Sequence, residues 1–159
     1  MPTTASAANL PHRRSFGAGS LTVTVSSDDA DALGALAHLF AGFGNPDSAA
    51  TAELVITLVH AGHVKGRGTL YDSSTADGPL LHGAALGDQA IRITRAINDR
   101  KLDAEPHLLH LHAAAAARGE RAVLLSARSG SGKSSLTAAL VRAGWDYVTD
   151  EQIAIDPVS

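Results

Sequence analysis

The sequence predicts an α/β fold in two parts. A small α+β lobe over residues 20–105 leads into the start of a second α/β part over 106–159. Three observations carry this. Leu21, Val23 and Val25 alternate with Thr22 and Thr24, the period of a half-buried strand. Ala122–Leu125 is a short apolar run followed by a Gly/Ser turn and then a helical pattern, SSLTAALVRAG. Beyond that helix, WDYVTDE and QIAID read as two short strands meeting at an acidic corner.

Size and charge narrow the function classes. The chain has 159 residues, a net charge of −3 and no cysteine. That length suits one domain, or one domain with a small lobe. Without cysteine there is neither a disulfide nor a thiolate metal site, which fits a reducing compartment and makes a cytoplasmic location the expectation. The mild acidity argues against a broad grip on nucleic acid, and no apolar run approaches the roughly 18 residues of a membrane span. Residues 1–19 hold Arg13, Arg14 and no acid, but no apolar stretch of the secretory kind, and read as a flexible leader.

In order along the chain, a strand over Leu21–Val25 is followed by Ser27, Asp28 and Asp29, a helix-start signal. Leu33, Leu36, Ala37 and Phe40 then share one helical face, and Gly42, Gly44, Asn45 and Pro46 end the helix. Leu54–Val59 is a second strand, Gly62–Gly68 a turn, Thr69–Asp72 a short third strand and Ser73–Pro79 a polar loop. Asp88 is placed to cap a helix reaching about Asn98, with Ala90, Ile93, Thr94 and Ile97 on one face. Pro106 suits the first turn of a further helix, HLLHLHAAAAAR, with Gly119 just past its end. Ala122–Leu125 is then a buried strand, and Gly144 ends the helix after the Gly/Ser turn.

The stretch AVLLSARSGSGKSS organises the rest. Strand, glycine turn, Lys-Ser and helix is the context a phosphate-binding loop requires. Glycines let successive N–H groups turn inward toward phosphate oxygens, and the helix N-terminus adds its positive end. Ser129, Gly130, Ser131, Gly132, Lys133, Ser134 and Ser135 are the candidate phosphate-binding residues. Lys133 is placed for the β- and γ-phosphates, and the Ser134 hydroxyl for Mg²⁺. The pattern G-x-x-x-x-G-K-[ST] departs at its first glycine, where Ala127 stands; alanine tolerates positive φ poorly, so a less sharp turn is expected there. A plain Ser/Gly connection between strand and helix is the structural alternative.

Thr149, Asp150 and Glu151 fall at the end of the next strand, where an acid faces a ligand held by the loop. One carboxylate can bind Mg²⁺ while the other accepts a proton from an attacking hydroxyl. An exposed acidic turn with no chemistry is the bland alternative. His107 and His110 are spaced i,i+3 on the expected helix, but no third ligand accompanies them and surface histidines are the better reading. His112 stands out only through its position just before the loop strand; His60 and His63 flank a turn and receive no role.

The run His112 to Asp156 resembles the HPr kinase/phosphorylase family, which shares a P-loop core with phosphoenolpyruvate carboxykinases. His112, SGSGKSS, VRAG and Val148-Thr149-Asp150-Glu151 carry the likeness, over less than a third of the chain. The close spacing of lysine and acid sets this family apart from most P-loop proteins. The resemblance implies an ATP-dependent serine kinase acting on a protein or peptide. Lys133 and the loop amides would hold the phosphates of ATP, Ser134 and Glu151 would hold Mg²⁺, Asp150 would be the general base, and His112 would orient the site. Glu151 stands for the family's second aspartate, one methylene longer, and Ala127 for its glycine.

From Ser134 onward the sequence supplies one helix and two short strands, whereas such sheets have about four or five strands. The resembling family uses a longer C-terminal half with an arginine and a second loop. Either the chain is a truncated piece, which is the expectation and would leave it inactive by itself, or the N-terminal lobe completes the sheet in an unusual way. Two alternatives stay open: a nucleotide-binding regulatory module without transfer activity, and a fragment of an ABC-type ATPase, whose LSGGQ signature and distant acidic strand are not in the sequence.

Overall fold

A computed structural model describes residues 7–47, 49–128 and 130–158. The fold is mixed α/β with three α-helices among the described residues, and the chain divides into two compact units, 1–105 and 106–159.

The first unit is a five-stranded sheet in the order β1-β2-β3-β4-β5 with two helices. Strand β1 (His12–Ala18) and strand β2 (Leu21–Ser27) form an antiparallel pair. Helix α1 (Ala30–Leu39) crosses over to β3 (Ala52–Val64), which runs parallel to β2; β4 (Gly68–Thr75) and β5 (Gly78–Ala85) complete an antiparallel meander. Helix α2 (Leu86–Ala104) closes the unit. The register sets Val23 beside Leu54 and Val25 beside Ile56, so one face of the β2–β3 pair is continuously apolar. Leu33, Leu36, Ile93 and Ile97 from the two helices join that face in a core where Leu21, Val23, Val25, Ile56, Leu58, Ile93 and Ile97 are fully buried. Each such aliphatic side chain contributes about 1.5–3 kcal/mol through burial.

Polar residues finish this unit. The Asp29 carboxylate caps α1 by accepting the N–H of Asp31 at 2.9 Å and of Ala32 at 3.0 Å, as the helix-start signal predicts. Gln89 is fully buried; its amide donates to the Tyr71 carbonyl and accepts the Ser73 hydroxyl at 2.6 Å. Glu105 accepts the Ser20 N–H and hydroxyl at 3.1 and 2.9 Å.

Several expectations are corrected here. His12–Ala18, read as leader, is a strand: HRRSFGA has no apolar alternation, and pairing with β2 makes it one. Ser73–Pro79 is not a loop but the ends of β4 and β5 around a tight turn, and β3 runs on to Val64, past the expected turn at Gly62. Asp88 does not cap α2; the cap position is Ala85, without a side-chain bond, and Asp88 sits in the first turn.

The second unit begins with β6 (Leu109–Leu111), followed by β7 (Ala114–Arg118), β8 (Arg121–Leu125), helix α3 (Lys133–Arg142), β9 (Asp146–Thr149) and β10 (Ile153–Ile155). The expected helix over HLLHLHAAAAAR is overturned. Alanine has the highest helix propensity, yet Ala114–Arg118 is the middle strand of a sheet ordered β8-β7-β9, hydrogen-bonded on both sides. Two neighbouring strands supply backbone partners, and that outweighs a propensity worth tenths of a kcal/mol per residue. The i,i+3 pairing of His107 with His110 goes with the helix. Gly119 ends no helix either: at φ 60° it takes the first position of the two-residue turn joining β7 to β8, where glycine suits a type II′ hairpin. The strand β8 is also not buried; it is a sheet edge with Val123 36% and Leu124 41% exposed. Beyond α3 the helix end is as expected: Gly144 N–H bonds the Val141 carbonyl at 3.0 Å and Trp145 N–H the Leu140 carbonyl at 3.1 Å, the paired bonds of a Schellman stop. β10 pairs with β6 in a separate two-stranded sheet.

Candidate functional site

Topology brings the candidate residues to one place. β7 is antiparallel to both β8 and β9, so those two strands run the same way on either side of it. Leu125 pairs with Ala114, and Thr149 with Ala115, so β8 and β9 both finish at the N-terminal end of β7. The loop after β8, the acidic corner after β9 and His112 just before β7 therefore meet at one sheet end. They line a cleft of about 440 Å³ walled by His112, Gly130, Gly132, Lys133, Ser134, Ser135, Asp150 and Glu151.

The loop owes its shape to two glycines. Gly130 has φ 77° and Gly132 φ 91°, both in the left-handed region that suits glycine. Gly132 is also the cap of α3 and, as a glycine, offers no side-chain bond to the first turn. Ala127 does not strain the loop: among the described residues no side-chain-bearing residue has positive φ, and the curl falls on the later glycines. The Lys133 ammonium donates to the Ala127 carbonyl at 2.8 Å and the Arg128 carbonyl at 3.3 Å, folded onto its own loop. The Ser131 N–H donates to the Arg128 carbonyl at 3.2 Å, and Ser131 does not line the cleft. Ser129 lies outside the described residues.

The opposite wall is the acidic corner. Asp150 and Glu151 are exposed at the cleft. The Tyr147 hydroxyl donates to Asp150 Oδ1 at 2.9 Å, and the Glu151 N–H donates to Thr149 Oγ1 at 3.3 Å. That hydrogen bond, with burial second, pushes the Tyr147 phenol above its ordinary value of 10.0. Tyr147 is not among the residues the sequence pattern selects. The only signal is an aromatic three residues ahead of an acid across a strand end, which has no meaning until the corner is seen to bend.

Chemically, the cleft offers a cation, the helix-start amides, hydroxyls and two carboxylates. A larger hollow of about 530 Å³ in the first unit, walled by Leu39, Phe40, Phe43, Ala90, Ile91 and Thr94, has almost no polar groups. Of these two the hollow is larger, but convergent chemistry favours the cleft. Among the described residues no three His, Cys, Asp or Glu side chains cluster to hold a metal, and no helix is long and apolar enough to cross a membrane. Comparison with known protein families, with curated proteins and with solved structures finds no match.

Proposed function

We propose that this cleft binds ATP and transfers its γ-phosphoryl group to a serine hydroxyl of a protein or peptide, in the manner of the HPr kinase/phosphorylase and phosphoenolpyruvate carboxykinase type of P-loop core. The observation that carries the reading is the meeting of the Gly-Lys-Ser helix start with the Asp150–Glu151 corner across one cleft.

The residues fit the groups this chemistry needs. Phosphate is bound by the curled loop and the first N–H groups of α3. Lys133 leaves its loop carbonyls for phosphate oxygens, exchanging neutral acceptors for charged ones. Mg²⁺ takes an acid or two plus phosphate oxygens rather than an all-protein cage, so Ser134 and Glu151 suffice on the protein side although no three-residue metal cluster exists among the described residues. The metal supplies neutralisation of phosphate charge. Asp150 receives the proton of the attacking hydroxyl, and His112 flanks the same opening.

Calorimetry with Mg·ATP tests the reading, followed by transfer of a γ-phosphate label to serine in candidate acceptors. Lys133→Ala is expected to weaken Mg·ATP binding about tenfold or more, the worth of a charge-assisted bond. Binding unaffected by Lys133→Ala would overturn it.

A further inference from the structure

We propose that Tyr147 is a positioning residue whose hydroxyl aims the Asp150 carboxylate into the cleft; this rests on the phosphoryl-transfer reading above. Three observations converge. The Tyr147 hydroxyl is 2.9 Å from Asp150 Oδ1, which leaves Oδ2 to take a proton. The pairing of β9 with β7 slips between Tyr147, opposite Ala116, and Thr149, opposite Ala115, so Val148 is an extra residue. Such a bulge bends a strand and re-aims its side chains. Finally, Asp150 and Ser134 wall two hollows at once: the cleft, and a groove of about 460 Å³ along α3 lined by Thr137, Ala138, Val141, Arg142 and Tyr147. The tyrosine thus reaches the carboxylate from the groove and does not line the cleft.

Packing does not account for this placement. Tyr147 is 58% exposed, so its ring is not there to fill a core. An exposed carboxylate at a strand end is free to swing, and a general base must hold its oxygen toward the incoming hydroxyl. A bond from a rigid phenol to one oxygen supplies that restraint. In the transfer itself, the acceptor oxygen forms a bond to the γ-phosphorus. The bond from that phosphorus to the β–γ bridging oxygen breaks, its electron pair leaving with ADP. The acceptor proton passes to Asp150 Oδ2. Tyr147 keeps its proton throughout, consistent with a phenol held above its ordinary pKa by the same contact.

Tyr147→Phe deletes the hydroxyl and keeps the ring. The full chain is assayed with Mg·ATP, water standing in for the acceptor hydroxyl. The expected result is a Kd for Mg·ATP within about twofold of the parent and phosphate release slowed about threefold to tenfold, the worth of one hydrogen bond. The chain has two tyrosines, so an alkaline absorbance titration in a Tyr71→Phe background reads Tyr147 alone. Asp150→Ala is expected to bring the Tyr147 ionisation down toward about 10. If Tyr147→Phe releases phosphate at the parent rate while Asp150→Asn does not, or Asp150→Ala leaves the Tyr147 titration unmoved, the positioning role is overturned and the transfer reading stands. If Mg·ATP binding ignores Lys133→Ala, or the parent chain releases no phosphate, the transfer reading fails and takes this inference with it.

Discussion

The two units of this chain are held by different kinds of interaction. In 1–105 the sheet and two helices enclose large side chains: Leu21, Leu36, Ile56, Leu58, Ile93 and Ile97 are all at most 1% exposed. In 106–159 the only buried residues among those described are Ala113, Ala114, Ala115, Ala116 and Thr137, while Leu109, Leu136 and Tyr147 are at least half exposed. The first unit is specified by burial, the second by backbone: strand pairing around β7, left-handed glycines at Gly119, Gly130, Gly132 and Gly144, a Schellman stop and a few hydroxyl and carboxylate bonds at the corner. A scaffold resists change through its core, and a site is tuned through its turns.

The largest effect that tests this contrast comes from one side-chain truncation, three carbons removed, done twice. Ile93→Ala opens a cavity in the first unit's core and is expected to cost about 2–5 kcal/mol, read as a lower denaturation midpoint. Leu124→Ala on the exposed edge β8 removes the same kind of surface and is expected to cost under about 1 kcal/mol. Equal costs would mean that the second unit is as core-dependent as the first.

Gly132→Ala turns to the backbone side. An alanine Cβ at Gly132 would meet nothing within 4 Å, so any loss comes from the φ of 91° rather than from a clash. That strain is worth about 1–2 kcal/mol, enough to weaken Mg·ATP binding about fivefold to thirtyfold in calorimetry while the unfolding of 1–105 is unchanged. A variant that binds as the parent does would show that the loop tolerates another path.

The same division explains what was legible in the sequence. Helix α1 was readable from Asp29 and the Leu33/Leu36/Phe40 face, and β2 and β3 from their aliphatic spacing, because burial writes a periodic pattern. The hairpin of β4 and β5 was half missed: Gly78–Ala85 carries no alternation, and β4 supplies its order. The alanine strand β7 was misread because its identity lies in two neighbours, not in its residues. At the site, Gly130, Gly132, Lys133, Ser134 and Ser135, with His112, Asp150 and Glu151, were readable as a motif and do share one cleft. Tyr147 was not, since its relevance depends on the slipped pairing that bends the corner.

The smallest effect returns to the first unit, where one polar pair interrupts the rule of burial. The Tyr71 hydroxyl donates to Asp29 Oδ2 at 2.7 Å, while Asp29 also caps α1. The Ala32 N–H foremost, and then the Tyr71 hydroxyl, hold the Asp29 carboxyl below its ordinary 3.8. Burial, then the bond to Asp29, pushes Tyr71 up to about 12. A carboxyl with a lowered folded pKa stabilises above its unfolded value and loses that contribution as pH falls through the folded one, so the loss belongs below about pH 4. A phenol with a raised folded pKa stabilises in full below about pH 10 and loses its contribution as pH rises toward 12. Thermal unfolding against pH is therefore expected to lose part of its acid slope in Asp29→Asn and part of its alkaline slope in Tyr71→Phe, with Asp29→Asn closest to the parent at the acid extreme and Tyr71→Phe at the alkaline one. If the two variants lose the same limb, the pair acts as one coupled group, and the cap and the phenol cannot be assigned separate parts in holding α1 to the sheet.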